Sequence, residues 1–435
     1  MTTSEDISRC VPEHDAQALP VAQARAIVRR WAQPVATAER VALRASLDRV
    51  LAEDVISPID VPSHNNAAMD GYAFDSAVLA DPAPGGSAEL ELEVAGQALA
   101  GHAFTGHVAR GQCVRIMTGA TIPAECDTVI AQEQTVRTGE RIAFDARRIS
   151  QGSNCRRAGE DLARGRAALT AGRIVRAADV GLLASLGVAE VAVHRRLRVA
   201  FFSTGDELRS VGEPLDTGCV YDSNRYTLGA MLARLNVEAL DLGIVRDEPA
   251  ALEAALRSAA SCADVVLSSG GVSVGDADFT RRLFETLGDV GFWQLAMRPG
   301  RPLAFGRLWP THRDDGLRPA LFFGLPGNPV AVMVTFYQFV REALLAMSGA
   351  KVEAPLQLRA TSSTPIKKRP GRTEYQRGVA TRAADGTWLV APTGSQGSGV
   401  LSSMSRANCL IVLAHEQGDV AAGAPVEIVP FDGLI

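Results

Sequence analysis

The chain has 435 residues, which is enough for about two to four domains. It carries 44 basic and 49 acidic residues, and the net charge of −5 argues against a protein that binds nucleic acid or an anionic membrane over its whole surface. Apolar residues make up 47% of the chain and charged residues 21%, which is typical of a globular protein and excludes a disordered one. All the basic residues except Lys351, Lys367 and Lys368 are arginines, and at most positions we interpret this excess as codon bias.

The seven cysteines are scattered, and none stands in a C-x-x-C pair. This usage predicts reduced thiols in a cytoplasmic enzyme and argues against a zinc site. The first twenty residues are polar and acidic, unlike a signal peptide. The uncharged stretch 319–340 contains glycines and prolines that would interrupt a membrane helix, so we predict a buried strand, a tight turn and a helix there.

The first part of the chain predicts two helices followed by β-structure. Apolar spacing indicates a helix over 21–31, and a second helix is predicted over 46–54. Residues 57–153 carry short β-like runs between clusters of Gly, Pro, Asp and Asn, namely 89–94, 111–118, 127–133 and 141–144. Residues 154–192 are predicted to return to helix and turn.

Residues 195–347 predict a doubly wound α/β domain, because strand-like and helix-like runs alternate. The predicted strands are 197–202, 237–245, 264–268 and 320–324. The predicted helices are 224–235, 249–260, 276–287 and a last one that begins near Asn328. Residues 352–435 return to period-two alternation and predict a small all-β unit.

Three strands of this α/β domain end in loops rich in glycine and hydroxyl side chains, at 203–207, 268–278 and 324–329. Ligands of such sheets lie beyond the carboxyl ends of the strands, where backbone N–H groups can surround a phosphate. Carboxylates on or near these loops could hold Mg²⁺, which prefers oxygen ligands: Asp206, Glu207, Asp247, Asp276 and Asp278. Asp247 and Asp276 could equally cap the helices that follow them.

These loops belong to a longer series of motifs that resembles one family. The matches are the segments 65–73 (NNAAMDGYA), 117–120 (MTGA), 159–161 (GED), 204–208 (TGDEL), 268–278 (SSGGVSVGDAD) and 324–329 (GLPGNP), and in the last unit 370–372, 376–378, 396–398 and 405–409. In order and over about residues 16–433, the chain resembles the molybdopterin molybdenumtransferase family, which includes bacterial MoeA and the C-terminal region of gephyrin.

The resemblance implies an elongated homodimer whose subunits have four domains. It implies a discontinuous helical domain made of 16–56 and 154–192, an inserted β-rich domain over 57–153, an α/β molybdopterin-binding domain over 193–347 and a small C-terminal β-barrel over 352–435. The active cleft would lie between the α/β domain of one subunit and the first two domains of the other.

The resemblance also implies the reaction. The family consumes adenylylated molybdopterin and molybdate and yields molybdenum cofactor and AMP, with Mg²⁺ offsetting phosphate charge. The dithiolene sulfurs come from the substrate, so no cysteine ligand is needed. The implied partners, besides the second subunit, are a molybdopterin adenylyltransferase and downstream cofactor-maturation proteins.

Site residues follow by motif match. The implied catalytic residues are Asp70, Thr118, Asp161, Glu207, Asp247 and Asp278. Among these, Glu207, Asp247 and Asp278 would handle metal or molybdate, Asp70 and Asp161 would face them from the other subunit, and Thr118 would donate to an oxyanion. The implied substrate-binding residues are Ser269, Gly270, Gly271, Ser273, Gly275, Arg298, Arg301, Pro326, Gly327, Asn328, Arg377 and Ser398. Gln294 departs from the pattern, because some members carry a lysine there.

Three alternatives remain at this point. A gephyrin-like scaffold is disfavoured by the lack of long linkers or an additional N-terminal domain. An enzyme of the related α/β superfamily, such as a molybdopterin adenylyltransferase or a nicotinamide-nucleotide deamidase relative, would lack the motifs at 65–73, 117–120 and 159–161. A paralogue that inserts tungstate stays open, because both oxyanions are tetrahedral dianions of nearly equal size.

Overall fold

The computed structural model describes residues 18–35, 37–80, 88–270, 283–311 and 318–432. The chain begins there with helix α1, Val21–Trp31, as predicted. Its buried face packs on the α/β domain, where the Trp31 ring lies 6.2 Å from the ring of Phe305 and under the guanidinium of Arg307 at 4.0 Å. Arg29 of the same helix forms an ion pair with Glu342. The first helix is therefore attached to the α/β domain.

The predicted second helix over 46–54 is wrong. The chain instead forms strand β1 (Ala38–Ala42), a short turn of 3₁₀ helix and an irregular segment. Asp48 has φ of 60°, a left-handed conformation that interrupts an α-helix. Val50 and Leu51 then make single antiparallel bridges, and the fully buried Leu51 joins the apolar cluster of this region. Tertiary burial therefore overrides the local helical pattern.

Residues 154–192 contain less helix than predicted. They hold one helix, α2 (Ala177–Ser185). They also hold short strands that pair with the first part of the chain. The strands involved are β2 (Val55–Ile56), β3 (Asn66–Ala67), β10 (Cys155–Arg156), β11 (Ala167–Leu169) and β12 (Glu190–His194). These pairings bring the two separated segments together around one small core.

The region between them forms a six-stranded sheet. Its strands are β4 (Gly71–Phe74), β5 (Glu89–Ala98), β6 (Gln112–Ile116), β7 (Thr128–Ala131), β8 (Val136–Thr138) and β9 (Arg141–Asp145), in the order β7-β4-β6-β5-β9-β8. The four predicted strands are found as β5, β6, β7 and β9, whereas β4 and β8 were not predicted. A Cβ on Gly71 would lie 1.9 Å from the carbonyl oxygen of Ile130, so the close approach of β4 and β7 requires glycine.

The α/β domain is built on a second six-stranded sheet of order β16-β13-β17-β21-β20-β18. Four parallel strands carry the predicted pattern: β13 (Arg198–Thr204), β16 (Glu238–Val245), β17 (Val265–Ser269) and β21 (Ala320–Leu325). Two antiparallel strands, β18 (Gly288–Gln294) and β20 (Pro302–Leu308), escaped prediction. A separate two-stranded parallel sheet forms from β14 (Leu208–Arg209) and β15 (Val220–Tyr221).

Helices cover both faces of this sheet. Helix α3 (Ser223–Arg234) shares an apolar core with one face, and α4 (Pro249–Cys262) and the helical residues 283–287 share a core with the other. Alternate residues of β13 divide between the two cores, since Val199 and Phe201 belong to one and Ala200 and Phe202 to the other. The predicted helix over 276–287 lies outside the described residues before 283, and Asp276 with it.

The last helix of the domain, α5 (Pro329–Met347), contains a π-helical turn at Phe336–Val340. Its 19 residues are long and apolar enough to cross a membrane by length and composition, but 72% of the apolar window is buried inside the protein. Helix α5 is therefore a core helix. With β21 it confirms the predicted buried strand, tight turn and helix.

The C-terminal unit is a closed five-stranded barrel. Its strands are β22 (Leu358–Ser362), β23 (Thr373–Arg382), β24 (Trp388–Pro392), β25 (Cys409–Leu413) and β26 (Pro425–Pro430), and helix α6 (Leu401–Arg406) lies between the third and fourth of them. Pairing of β23 with β25 closes the ring. Strand β19 (Met297–Arg298) of the α/β domain adds to β23, so Arg298 lies at the junction of the two domains.

Candidate functional site

The three predicted loops meet at the carboxyl edge of the α/β sheet. Gly270 follows β17 with φ of +86°, and a Cβ there would lie 2.5 Å from the carbonyl oxygen of Thr204 at the end of β13. A Cβ on Gly327, after β21, would lie 3.9 Å from the Cα of Gly270. Only glycine at 270 permits this approach of backbone to backbone. The backbones of the three loops thus meet at this edge, where Gly270 is half-buried and Gly327 is exposed.

Asn224 joins two of these loops. Its side-chain amide donates to Ser269 Oγ at 2.8 Å and to the carbonyl oxygen of Gly327 at 2.7 Å. Helix α3 presents it there because Asp222 caps the helix, accepting from the Arg225 N–H at 3.1 Å and from Ser203 Oγ at 3.0 Å. The sequence interpretation missed Asn224. The Asp222-Ser223-Asn224 run before a predicted helix was the available signal.

Two buried polar atoms at this edge lack a partner in the described part of the chain. They are Thr204 Oγ1 and Asn224 Oδ1. Buried polar atoms are normally hydrogen-bonded, to protein, water or a ligand. Their position beside Gly270 fits an edge that donates hydrogen bonds to a bound molecule and accepts hydrogen bonds from it. Of the residues predicted to bind substrate here, Ser269 and Gly270 lie at this edge, whereas Gly271, Ser273 and Gly275 lie outside the described residues.

Exposed carboxylates stand at the same edge. Asp206 and Glu207 follow β13, Asp247 follows the neighbouring strand β16, and the Asp247 N–H lies 3.4 Å from Asp206 Oδ1. The third predicted metal residue, Asp278, lies outside the described residues. Within the described ranges no cluster of three His, Cys, Asp or Glu side chains forms a ready metal cage. Carboxylate oxygens such as those of Asp206 and Glu207 are of the type that Mg²⁺ takes as ligands together with phosphate oxygens.

The alternative prediction, that Asp247 caps the next helix, is not the arrangement found. Glu248 occupies the cap position of α4, and no side chain makes a capping hydrogen bond there.

Beside the edge lies a cavity of about 430 Å³ between the α/β domain and the barrel. Its walls are the turn 297–302, the β21 loop, the barrel loop 396–398 and Arg372. It brings together six of the predicted substrate-binding residues: Arg298, Arg301, Pro326, Gly327, Asn328 and Ser398. The exposed side chains of Arg298 and Arg301 make no hydrogen bond or ion pair with any described residue. We call this space the arginine cavity.

Helix α5 organises the arginine cavity. A Cβ on Gly300 would lie 2.5 Å from Thr335 Oγ1, so the arginine turn lies directly on the helix. The carbonyl oxygen of Ser398 accepts from the Val330 N–H at 3.0 Å and so links the barrel loop to the first helical turn. The positive end of the helix therefore adds to the arginine charges, which makes the cavity suited to an anion.

Arg377 does not line the arginine cavity, contrary to what its predicted binding role suggests. Its residue surface is 1% exposed, and its guanidinium donates to Ser403 Oγ at 2.9 Å and to the carbonyl oxygens of Ser395 and Gly397 at 3.3 and 2.9 Å. Burial, together with the charge of Arg298, lowers the pKa of Arg377 to about 10. Arg377 is thus a positioning residue for the loop that carries Ser398.

Asp70 and Thr118 form a separate constellation in the β-rich domain. The N–H and the hydroxyl of Thr118 both donate to Asp70 Oδ1, each at 2.7 Å. These two hydrogen bonds lower the pKa of Asp70 below its usual value. The hydroxyl predicted to serve an oxyanion therefore points to a carboxylate here.

Asp161 lies in an exposed turn, where its N–H donates to the Val61 carbonyl oxygen at 3.1 Å. Among the described residues, no hydrogen bond or ion pair connects Asp70, Thr118 or Asp161 to the sheet edge or the arginine cavity of the same chain. One chain thus carries two groups of site residues on different domains.

Comparison with known proteins agrees with this geometry. The family models that match are described as the MoeA N-terminal region (domain I and II) over residues 19–187, a probable molybdopterin binding domain over 200–346, and the MoeA C-terminal region (domain IV) over 359–431. A protein of Haemophilus influenzae called molybdopterin molybdenumtransferase is 42% identical over 394 residues, which cover 90% of this chain and 94% of the relative. The chain belongs to the molybdopterin molybdenumtransferase family.

Further relatives support the same assignment. A Nostoc protein of the same name is 36% identical over 394 residues, which cover 89% of this chain and 87% of the relative. A crystal structure of the molybdopterin biosynthesis moeA protein from Pyrococcus horikoshii OT3 superposes with a TM-score of 0.80 at 27% identity and covers 95% of this chain and all of that one. The motif-based recognition and the multidomain fold class are confirmed, and the chain is a transferase of molybdenum cofactor biosynthesis.

Proposed function

We propose that the protein transfers molybdenum from molybdate to adenylylated molybdopterin and releases AMP. The observation that carries this proposal is the arginine cavity, where a helix N-terminus and two arginines whose side chains have no partner among the described residues lie beside the sheet edge. The substrate contains both a phosphoanhydride and a dithiolene, and the second substrate is a dianion. A cationic pocket beside a backbone-lined edge suits such a pair.

The proposed reaction balances without a further reagent. Two substrate thiols replace one oxo ligand of molybdate, so two molybdenum–sulfur bonds form and one water leaves. Hydrolysis of the phosphoanhydride consumes one water and releases AMP. Since the two waters cancel, the products are AMP and a molybdenum–dithiolene compound. Both sulfur atoms come from the substrate, so the proposed reaction needs no cysteine near the metal.

The residues then divide by task. The anionic groups of the substrates are bound by Arg298, Arg301 and the first turn of α5. Ser398 lines the cavity on the side of the barrel. Thr204 and Asn224 meet the polar parts of the pterin at the sheet edge. The Asp70–Thr118 pair presents a carboxylate that stays ionised at neutral pH.

Mg²⁺ would be held by Glu207, Asp247 and Asp278. When bound it would offset the charge on phosphate oxygens at the anhydride. The observation that supports this part is the chemistry of the exposed carboxylates along the carboxyl edge.

We further propose that the protein acts as a homodimer with a shared cleft. Asp70 and Thr118 stand on a domain that makes no hydrogen bond to the arginine cavity within the described chain. Segment 208–226 exposes several large apolar side chains, namely Val211, Leu215, Val220, Tyr221 and Tyr226. A contiguous stretch of this kind is typical of a protein interface. A second copy that covers it would complete the site with its own Asp70.

The test is an assay with purified protein, adenylylated molybdopterin and Mg²⁺, with molybdate or tungstate in parallel. We expect AMP and a metal-loaded pterin in equal amounts with molybdate, and the parallel reaction shows whether tungstate is inserted as well. Arg301→Ala should lower turnover at least about tenfold, because a charge-assisted contact is lost. Arg359→Ala, an exposed arginine on barrel strand β22, is the matched control and should leave turnover unchanged. A pterin that stays metal-free in the wild-type reaction would contradict the proposal.

A further inference from the structure

A second cationic surface adjoins the arginine cavity on the barrel. An open groove of about 980 Å³ is lined by five cationic side chains, Arg298, Lys367, Lys368, Arg369 and Arg372, and by only two carboxylates, Glu374 and Asp419. We call it the barrel groove. Two of the three lysines of the whole chain lie here at adjacent positions. Arg298 and Arg372 line both spaces, so the groove and the arginine cavity are contiguous.

Much of the groove's charge is already used to hold its shape. The buried ammonium of Lys368 donates to the carbonyl oxygens of Arg369, His415 and Gln417 at 3.2, 3.2 and 2.6 Å. Asp419 accepts from Lys367 Nζ and from the Lys368 N–H, both at 2.8 Å. These contacts fix two loops against each other, so the groove is organised before any ligand arrives.

The remaining charge is available to a ligand. Arg372 donates through Nε to the buried Glu374 at 3.0 Å, which leaves the outer donors of its guanidinium unassigned. The side chain of Arg369 is exposed and makes no hydrogen bond or ion pair with the described residues. After these ion pairs, the groove keeps a cationic excess at Arg298, Lys368 and Arg369, and the arginines are the two whose side chains remain available to a ligand. Phosphate, with its several acceptor oxygens, is the ligand that such arginines suit.

We propose that the barrel groove binds a phosphate monoester, the phosphate of the nucleotide that leaves the arginine cavity. For the identity of its ligand, this inference rests on the proposed function. Cleavage of the anhydride leaves two phosphate monoesters, each with about 1.5 to 2 negative charges at neutral pH. Two such anions in one small cavity repel each other. The contiguous groove offers the nucleotide phosphate a second set of cations. Arg298 lines both the arginine cavity and the groove, so it can contact the phosphate in either place.

The experiment measures binding of AMP, inorganic phosphate, adenosine and molybdate to the full-length protein by titration calorimetry. We expect Arg369→Ala to weaken AMP and phosphate about tenfold, the loss of one charge-assisted contact. The double variant Arg369→Ala with Lys367→Ala should weaken them further. Arg359→Ala is the control and should bind like the wild type. Adenosine should bind weakly to every variant, and molybdate should respond to Arg301→Ala and remain unaffected by Arg369→Ala.

Two results would overturn the groove assignment: unchanged AMP affinity in both groove variants, or adenosine that binds as tightly as AMP. Turnover separates this inference from the proposed function. If the wild type is active but Arg369→Ala changes neither the AMP affinity nor the inhibition by AMP, the groove assignment is refuted and the proposed function is not. A wild type that releases no AMP from adenylylated molybdopterin, yet loses AMP affinity in Arg369→Ala, refutes the proposed function and retains the phosphate site.

Discussion

Asp70 accepts two hydrogen bonds from a single residue, Thr118. Its carboxylate is therefore fixed in position and held in the ionised form. Because the N–H and hydroxyl of Thr118 both favour the ionised form, the pKa of Asp70 is lowered. The carboxylate therefore remains charged throughout the neutral range. A group held in this way acts by its charge and its fixed position rather than as a proton donor.

Replacement of Asp70 by Asn tests that role. The amide keeps the size of the side chain and removes the charge, so we expect AMP release to fall at least about tenfold while the midpoint of thermal unfolding stays close to wild type. Asp145→Asn is the matched control. Asp145 is a carboxylate of the same sheet, and hydrogen bonds from Arg147 lower its pKa to about 2. Equal activity of the two variants would show that the charge of Asp70 has no part in the reaction.

Asp264 has a different role, in stability. Burial alone would raise its pKa, but hydrogen bonds from the Arg195 guanidinium and the Arg198 N–H lower it below the usual 3.8. A lowered folded-state pKa stabilises the protein above the unfolded value, and this contribution is lost as pH falls through the folded one. The contribution is therefore complete at pH 7, begins to decrease as the pH falls below the unfolded value of about 4, and is lost as the pH falls through the lower folded value.

Asp264→Asn should thus lower the free energy of unfolding by about 2–3 kcal/mol at pH 7, since it leaves the partly buried Arg195 without its anion. The difference from wild type should shrink in acid. Urea unfolding between pH 7 and pH 3 measures both. A difference that is the same at every pH would show that the ion pair does not contribute in this way.

At the scale of elements, the site depends on a helix whose side chain is hydrogen-bonded to two loops at once. Asn224, in the first turn of α3, is hydrogen-bonded to loops that follow two different strands. Asn224→Ala removes both contacts, and we expect a loss of about 1–3 kcal/mol in ligand binding at the edge with a smaller loss in stability. Thr227→Ala, on the same helix, removes only a hydrogen bond to Ser223 and is the control. Calorimetric binding of molybdopterin would show the difference, and equal affinities for the two variants would contradict it.

The sequence predicted elements well where burial produces a clear pattern. Strands β13, β17 and β21 are covered on both faces, so their continuous apolar runs were readable. Strands β18 and β20 contain glycines at close main-chain contacts, such as Gly306 against Asp289. Because glycine has low strand propensity, these glycines weaken the sequence pattern that would have predicted the two strands. The predicted helix over 46–54 was wrong because Asp48 takes a left-handed conformation that apolar spacing does not reveal.

The site was predictable to the extent that motifs mark it. Six motif residues meet in the arginine cavity, but a motif does not tell which side chains face the cavity. Arg377 lies in a motif and is buried behind the loop, because Ser403 and two carbonyl groups take up its donors. Asn224 lies outside the quoted motifs, and its two contacts are visible only once α3 is folded against the sheet.

At the scale of the whole molecule, the arginine cavity exists only because two domains are joined. Strand β19 pairs with β23 of the barrel, and the Ser398 carbonyl accepts from the Val330 N–H of helix α5. Both contacts set the width of the cavity. The second set of predicted site residues, Asp70 and Thr118, belongs to another domain. Under the proposed function, a site that contains both sets requires either a large domain movement or a second subunit.

Co-expression of two variants with reduced activity distinguishes these possibilities. Asp70→Asn and Arg301→Ala affect different domains, and random mixing of subunits by co-expression gives about half heterodimers. With a shared cleft, each heterodimer holds one intact site, so activity should return to about a quarter of wild type. Each variant expressed alone is the control. Activity that remains at the level of the single variants would place the complete site within one chain.

The position of the bound oxyanion tests the proposed site most directly. Tungstate or molybdate soaked into crystals can be located by anomalous scattering from the metal. We predict one strong peak within the arginine cavity, in contact with Arg298 or Arg301 and beside the Ser398 loop, and its loss in crystals of Arg301→Ala. A peak at another place in the wild-type protein, or an unchanged peak in that variant, would contradict the assignment of the cavity as the site of metal transfer.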